Sequence, residues 1–241
     1  MVVLDIDVGN SRIKWRARGP NGDLCGSVDR TDGHSSDRWP TVRPDRIRIS
    51  SVASGKENDD LRSSLEHNFD CNPEFASTTR SLDGLICGYE EPSRLGIDRW
   101  LAMLAARRIA AGPFVVVDVG TAATIDFVSD DGRHVGGYIV PGLRLMTAAL
   151  LHGTADVRVT FDPDNLETRP GRTTASAVGG GVVLMLADFV GGSVERFASD
   201  CADRPHVYLC GGDALMIAPL IGFRTRIEPN LVLDGLAIAL P

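Results

Sequence analysis

One short pattern occurs twice in this chain. Val2, Val3, Leu4 and Ile6 lead into Asp7-Val8-Gly9-Asn10, and close to half the chain later Phe114 to Val117 lead into Asp118-Val119-Gly120-Thr121. Each turn is followed by a second strand. In the first copy Ile13, Trp15 and Ala17 alternate with Arg12, Lys14, Arg16 and Arg18; in the second the strand covers Ala123 to Val128. A second turn follows, Pro20-Asn21-Gly22-Asp23 or Ser129-Asp130-Asp131-Gly132, and then a third strand, Leu24 to Val28 or His134 to Ile139. Duplication at this scale means two related α/β lobes rather than a solenoid. Each lobe opens with strand–turn–strand and carries an acidic, glycine-containing turn.

Helices fill the space between the repeats. Arg99 to Ala111 places Leu101, Leu104, Ala105 and Ile109 on one face and ends at Gly112-Pro113. The lobe boundary is set there, giving lobes 1–112 and 113–241. In the second lobe, Pro141-Gly142 opens a helix through Leu151, and 154–172 reads as a loop. Thr174 to Ala198 is a long helix interrupted by Gly179-Gly180-Gly181 and Gly191-Gly192. Such glycines weaken a helix, so either it breaks there or another backbone packs against it. Val207 to Leu209 is a strand running into Cys210-Gly211-Gly212-Asp213. Arg43 to Arg48 alternates charged and apolar residues and reads as a strand with a solvated face.

Composition removes several functions. A net charge of −7 and the scattered basic residues disfavour a nucleic-acid binder. Five widely spaced cysteines without a CxxC pair argue against a disulfide framework or a thiolate zinc site. The five histidines show no metal-ligand spacing and read as surface or packing residues. The chain enters a strand at once, with no basic, then apolar leader. No apolar run approaches the roughly 20 residues of a membrane span. The expectation is a cytoplasmic protein with free thiols and no membrane partner.

The acidic turns are candidate phosphate sites. GxxxxGK[ST] is absent, and no GxGxxG opens a helix after a strand, so a P-loop or Rossmann reading is poor. A phosphate site of another kind needs backbone amides in a tight turn with hydroxyls, amides or cations beside them. Asp7 offers a carboxylate to a hydrated metal, Gly9 allows close approach, Asn10 and Ser11 add hydrogen bonds, and Lys14 adds charge. Thr121 repeats the hydroxyl in the second turn. Gly211-Gly212-Asp213 follows a strand and suits an adenosine ring and ribose. A separate candidate is Gly96-Ile97-Asp98-Arg99 at a helix start, where exposed amides favour an anion. Arg99 suits a two-pronged carboxylate contact, and Asp98 suits acceptance of a hydroxyl proton. A plain helix start uses the same residues, with Asp98 as cap and Arg99 in solvent.

Taken in order, DVGNS at 7–11, GIDR at 96–99, DVGTA at 118–122, GGYIVPG at 136–142 and Gly-Gly-Asp at 211–213 resemble the motif set of the type III pantothenate kinases. These belong to the actin/hexokinase/heat-shock ATPase superfamily. The resemblance runs from residue 3 to about 238 and includes Pro229 to Leu236. It implies two actin-like, ribonuclease H-like lobes, each a mixed sheet with helices, with an ATP cleft between them. The implied reaction is ATP-dependent phosphorylation of pantothenate to 4′-phosphopantothenate, the first step toward coenzyme A. Asp7, Val8, Gly9, Asn10, Ser11, Arg12, Ile13 and Lys14 would hold ATP, with Thr121, Gly211, Gly212 and Asp213. Asp98 would be the general base; Tyr89, Gly96, Ile97, Asp98, Arg99 and Thr174 would line the pantothenate pocket. Asp118 would sit near a monovalent cation, usually K⁺ or NH4⁺, which such enzymes often need besides Mg²⁺. The implied assembly is a homodimer. The family often has Glu where this chain has Ser176. The alternatives are a same-fold kinase for another small alcohol and a non-catalytic nucleotide-binding accessory to transcription.

Overall fold

The computed structural model describes residues 1–30, 39–53, 55–153 and 168–241. Strand β1 (Val3–Val8) pairs antiparallel with β2 (Arg12–Gly19), and β2 with β3 (Gly22–Asp29). Strand β4 (Arg46–Ser51) lies parallel to β1 on its other side. Helix α1 (Gly55–Phe69) then crosses to β5 (Pro73–Phe75), parallel to β4. A small hairpin of β6 (Ser81–Leu82) and β7 (Leu85–Ile86) leads into α2 (Ile97–Ile109).

The second half repeats this plan. Strands β8 (Phe114–Val119), β9 (Ala122–Val128) and β10 (His134–Pro141) form an antiparallel meander. Helices α3 (Leu143–Gly153) and α4 (Thr174–Ala198) follow. Strand β11 (His206–Cys210) runs parallel to β8; after the short α5 (Ala214–Ile217), β12 (Thr225–Ile227) runs parallel to β11. The chain ends in α6 (Leu231–Ala239). The strand orders are β3-β2-β1-β4-β5 and β10-β9-β8-β11-β12, one topology used twice. The sequence duplication is therefore a duplication of fold.

Two compact units result: residues 1–109 with 230–241, and residues 110–229. This differs from a second lobe running to 241, because α6 joins the first unit. Gly235 is the reason it fits there. A Cβ at Gly235 would lie 2.1 Å from the carbonyl oxygen of Leu101, so only glycine lets α6 come this close to α2.

In the first unit, Leu4, Ile6, Val8, Ile13, Ile47 and Ile49 pack with Leu61 and Leu65 of α1. The opposite sheet face is polar. Asp5, Arg16 and Arg48 share one register row across β1, β2 and β4. Asp5 is wholly buried, and Arg16 and Arg48 are only 6% and 5% exposed. The expected solvated face over Arg43 to Arg48 holds at Arg43, which is exposed, but not at Arg48, which is buried. Arg48 Nε donates to Asp5 at 2.7 Å, Arg18 Nη2 donates at 2.8 Å, and Arg16 Nη2 stands at 3.6 Å. Alternation in sequence marks the strand, but the buried carboxylate that draws the guanidinium groups toward it depends on partners on other strands.

Those arginines also hold the chain end. Arg16 Nη1 donates to Asp234 of α6 at 2.7 Å, Arg48 Nη1 donates to the carbonyl of Leu240 at 2.8 Å, and Arg46 donates to that of Pro241.

In the second unit, Val115, Val117, Ile125, Val182, Val183, Leu186, Val190, Val207 and Leu209 form the core. Helix α4 is unbroken despite its glycines. At Gly191 the close-approach alternative holds: a Cβ would lie 2.6 Å from the carbonyl oxygen of Ile221. By length and composition alone α4 is apolar enough to cross a membrane, yet one side packs into this core. Its cap is Thr173, one residue before the expected start. Thr173 Oγ1 accepts from the Ser176 amide at 3.2 Å, and Ser176 Oγ accepts from the Thr173 amide at 3.1 Å. Ser176 thus completes the capping box that a Glu usually completes. Of the expected 154–172 loop, 154–167 lies outside the described residues.

Removing Asp5 leaves buried guanidinium charge without its carboxylate. Asp5→Ala should cost about 3–5 kcal/mol of stability, measured by urea unfolding. A cost below about 1 kcal/mol, the size of an exposed ion pair, would contradict the buried cluster.

Candidate active site

The first acidic turn is narrower than its sequence suggests. Asp7 and Val8 are the last residues of β1, and the turn proper is Gly9 to Ser11. The Gly9 amide donates to the Arg12 carbonyl at 3.0 Å, and a Cβ on Gly9 would approach that oxygen to 3.2 Å. Arg30 closes the turn from outside. Its amide donates to the Ser11 carbonyl at 2.8 Å, its Nη1 to the Gly9 carbonyl at 3.2 Å, and its Nη2 to Glu57 at 2.6 Å. No short motif marks Arg30, because its partners are distant in sequence.

Asn10, Ser11 and Arg12 are exposed, and Arg12 pairs with Asp29 at 3.4 Å. Val8 and Ile13 point into the core, each 4% exposed, so only their backbones can face a ligand. Lys14 is half-buried and lies in register with Asp7.

In the same unit, α2 presents the second candidate. Asp98 is the second helical residue, and its Oδ1 accepts from the Arg99 amide at 2.8 Å. Gly96 leaves room for the Asp98 carboxylate, since a Cβ would meet Asp98 Oδ1 at 2.6 Å and the side chain would have to shift. Arg99 does not lie in solvent; it is 6% exposed. Its Nη1 donates to the Tyr89 hydroxyl at 3.0 Å, and its guanidinium carbon lies 5.7 Å from the Tyr89 ring centroid. Arg80 Nη1 fixes the Tyr89 segment by donating to the Tyr89 carbonyl at 2.8 Å, and Thr78 Oγ1 donates to the Leu95 carbonyl at 3.0 Å. Ile97 is buried and anchors the helix start. The structure thus brings Tyr89, Asp98 and Arg99 into one place.

The second unit holds the other group. The Gly120 amide donates to the Ala122 carbonyl at 3.1 Å, and the Gly142 amide to the Thr121 carbonyl at 2.9 Å. Gly211 has φ +92°, and a Cβ there would lie 2.4 Å from the Val119 carbonyl oxygen and 2.5 Å from Asp118 Oδ1. The Asp213 amide donates to the Val119 carbonyl at 3.0 Å. Asp118 and Gly211 to Asp213 therefore converge at the carboxyl ends of β8 and β11, where open α/β sheets place ligands. Gly212 is exposed, and Thr121 is partly exposed. Thr174 is the exposed first residue of α4. Burial pushes the Asp213 carboxyl above its usual range, with Arg144 opposing that shift. Among the described residues no cluster of three or more His, Cys, Asp or Glu side chains is placed to hold a metal.

Two sheets of one order, each opening in an acidic glycine turn, define an actin-like fold. A Porphyromonas gingivalis acetate kinase shares this fold at TM-score 0.50, with 8% identity over 99% of this chain and 98% of that one. A conserved Campylobacter jejuni protein described as a Baf family transcriptional activator shares it at 0.55, with 21% identity over 97% and 95%.

The chain belongs to the type III pantothenate kinase family, whose model matches residues 3–196. A type III pantothenate kinase of Ectopseudomonas mendocina (strain ymp) is 38% identical over 249 residues, covering 100% of this chain and 99% of that protein.

The raised Asp213 pKa has a consequence for stability. A carboxyl with a higher pKa folded than unfolded favours the native state in acid, and that contribution is lost as pH rises through the folded value. Asp213→Asn should therefore raise the melting temperature near neutral pH, and the gain should shrink as pH falls toward about 4. Melting curves across this range check it; a lower melting temperature at neutral pH would refute it.

Proposed function

We propose that this chain transfers the γ-phosphoryl group of ATP to the 4′-hydroxyl of pantothenate, with Asp98 as general base. The observation that carries the assignment is the pairing of Asp98 with the buried, Tyr89-bound Arg99 in the first turn of α2. A guanidinium held by a phenol is preorganised for a carboxylate, so it fixes one end of pantothenate. Asp98 then takes the hydroxyl proton as the oxygen attacks the γ-phosphorus; the bond to the β–γ bridging oxygen breaks and ADP leaves. Gly96 and Ile97 set the helix start, and Thr174 is assigned to the pantothenate wall from the family resemblance.

The turn amides of Gly9 to Ser11, with Lys14, are assigned to the ATP phosphates, and Thr121 adds a hydroxyl from the repeated turn. Gly211, Gly212 and Asp213 are assigned to adenosine. When bound, Mg²⁺ neutralises charge on the phosphates; Asp7 supplies the oxygen donor it prefers. Asp118 is assigned to a monovalent cation, K⁺ or NH4⁺. The fit is chemical: a carboxylate beside a crowded carbonyl turn offers only oxygen donors.

A homodimer is supported by exposed apolar residues on adjoining elements of the second unit: Tyr138 and Ile139 of β10, Leu145 of α3 and Met185 of α4. We place the enzyme in the cytoplasm with no nucleic-acid or membrane partner, in keeping with its acidic charge.

Asp98→Asn should lower kcat by about 10²–10⁴-fold with nucleotide affinity nearly unchanged, and Arg99→Ala should raise KM for pantothenate far more than KM for ATP. Steady-state kinetics separate these effects. A near-silent Asp98→Asn would remove the base assignment, and equal KM changes would remove the carboxylate-binding role.

A further inference from the structure

One buried polar group near the first turn has no hydrogen-bond partner among the described residues. Ser50, on β4, is 0% exposed, and its hydroxyl makes no hydrogen bond to any described residue. Such groups are rare, because leaving a buried hydroxyl unsatisfied costs stability. Its neighbour differs: Ser51 Oγ donates to Asn58 at 2.6 Å and accepts from the Ala53 amide at 3.2 Å, so that hydroxyl shapes the loop after β4.

The register shows where Ser50 lies. It is paired with Asp7 across the parallel β1–β4 ladder, and Asp7 is paired with Lys14 across the antiparallel β1–β2 ladder. Lys14, Asp7 and Ser50 therefore form a row across three strands, on the sheet face that also carries Arg16, Asp5 and Arg48. The Arg16, Asp5 and Arg48 row is closed by its own ion pairs. The Lys14, Asp7 and Ser50 row is one step nearer the carboxyl ends of β1 and β4, beside the Gly9 to Ser11 turn. It sets a cation, a carboxylate and a hydroxyl in register at the ligand end of the sheet.

We infer that Ser50 is a further residue of the metal–nucleotide site: its hydroxyl oxygen accepts a hydrogen bond from a water in the hydration shell of the Mg²⁺ served by Asp7. The donor set fits that ion. Mg²⁺ takes few protein carboxylates and keeps several waters, and metal-bound water is a strong donor that needs acceptors around it. The inference rests on the assignment of the first turn to Mg·ATP.

The test compares wild type and Ser50→Ala by calorimetric binding of a non-hydrolysable ATP analogue, with Mg²⁺ and with EDTA, alongside melting curves of the free proteins. The inference expects analogue affinity in Mg²⁺ to fall by roughly 5- to 20-fold, the scale of one lost hydrogen bond. It expects no change in EDTA, and a melting temperature for the free variant no lower than wild type. Equal affinities in Mg²⁺, or the same loss in EDTA as in Mg²⁺, would overturn it. Failure of wild type itself to bind the analogue in Mg²⁺ would instead overturn the nucleotide assignment on which the inference rests.

Discussion

A single buried carboxylate organises the first unit. Asp5 sits in the middle of β1 with no exposed surface, and Arg48, Arg18 and Arg16 converge on it. Charges taken out of water are costly unless paired and hydrogen-bonded, so once Asp5 is inside, its arginines must follow. The same guanidinium groups then reach beyond Asp5. Arg16 grips Asp234, and Arg48 grips the Leu240 carbonyl, which draws the chain end onto the sheet. Helix α6, held there, packs its Gly235 against the Leu101 backbone of α2. Helix α2 carries Asp98 and Arg99 at its start. A path of direct contacts thus runs from a strand carboxylate to the residues assigned to proton transfer and substrate binding.

The polar sheet face carries two rows of different character. Its middle row neutralises itself. Its outer row, with Lys14, Asp7 and Ser50, adjoins a turn whose shape is maintained by Arg30 and Glu57. The second unit uses its repeat of the turn differently. There Gly211 and Gly142 press against the turn backbone, and no side chain fits at either position. One topology, copied within the chain, thus supports a charged site in one unit and a crowded oxygen-rich site in the other.

Much of this was legible because local patterns carried it. The Asp-Val-Gly repeat announced duplicated sheets, and the apolar spacing after Arg99 announced α2. The Gly191-Gly192 pair left two options, a helix break or a close backbone approach, and the Ile221 contact supplies the second. Elements set by distant partners were less visible. Alternation in Arg46, Arg48 and Ser50 marks a strand with one polar face, but whether solvent or α6 covers that face depends on contacts nearly 200 residues away. The same holds for the move of α6 to the first unit. At the candidate site, the local text left Arg99 equally suited to solvent, and only the fold of the 78–95 segment puts Tyr89 over it. Arg30 and Ser50 carried no motif at all.

The most direct measurement is ADP release by the purified protein with Mg·ATP and potassium, with and without pantothenate. The account predicts release that depends on pantothenate and yields phosphorylated pantothenate in equal amount. Release that is indifferent to pantothenate, or none while ATP still binds, would contradict it.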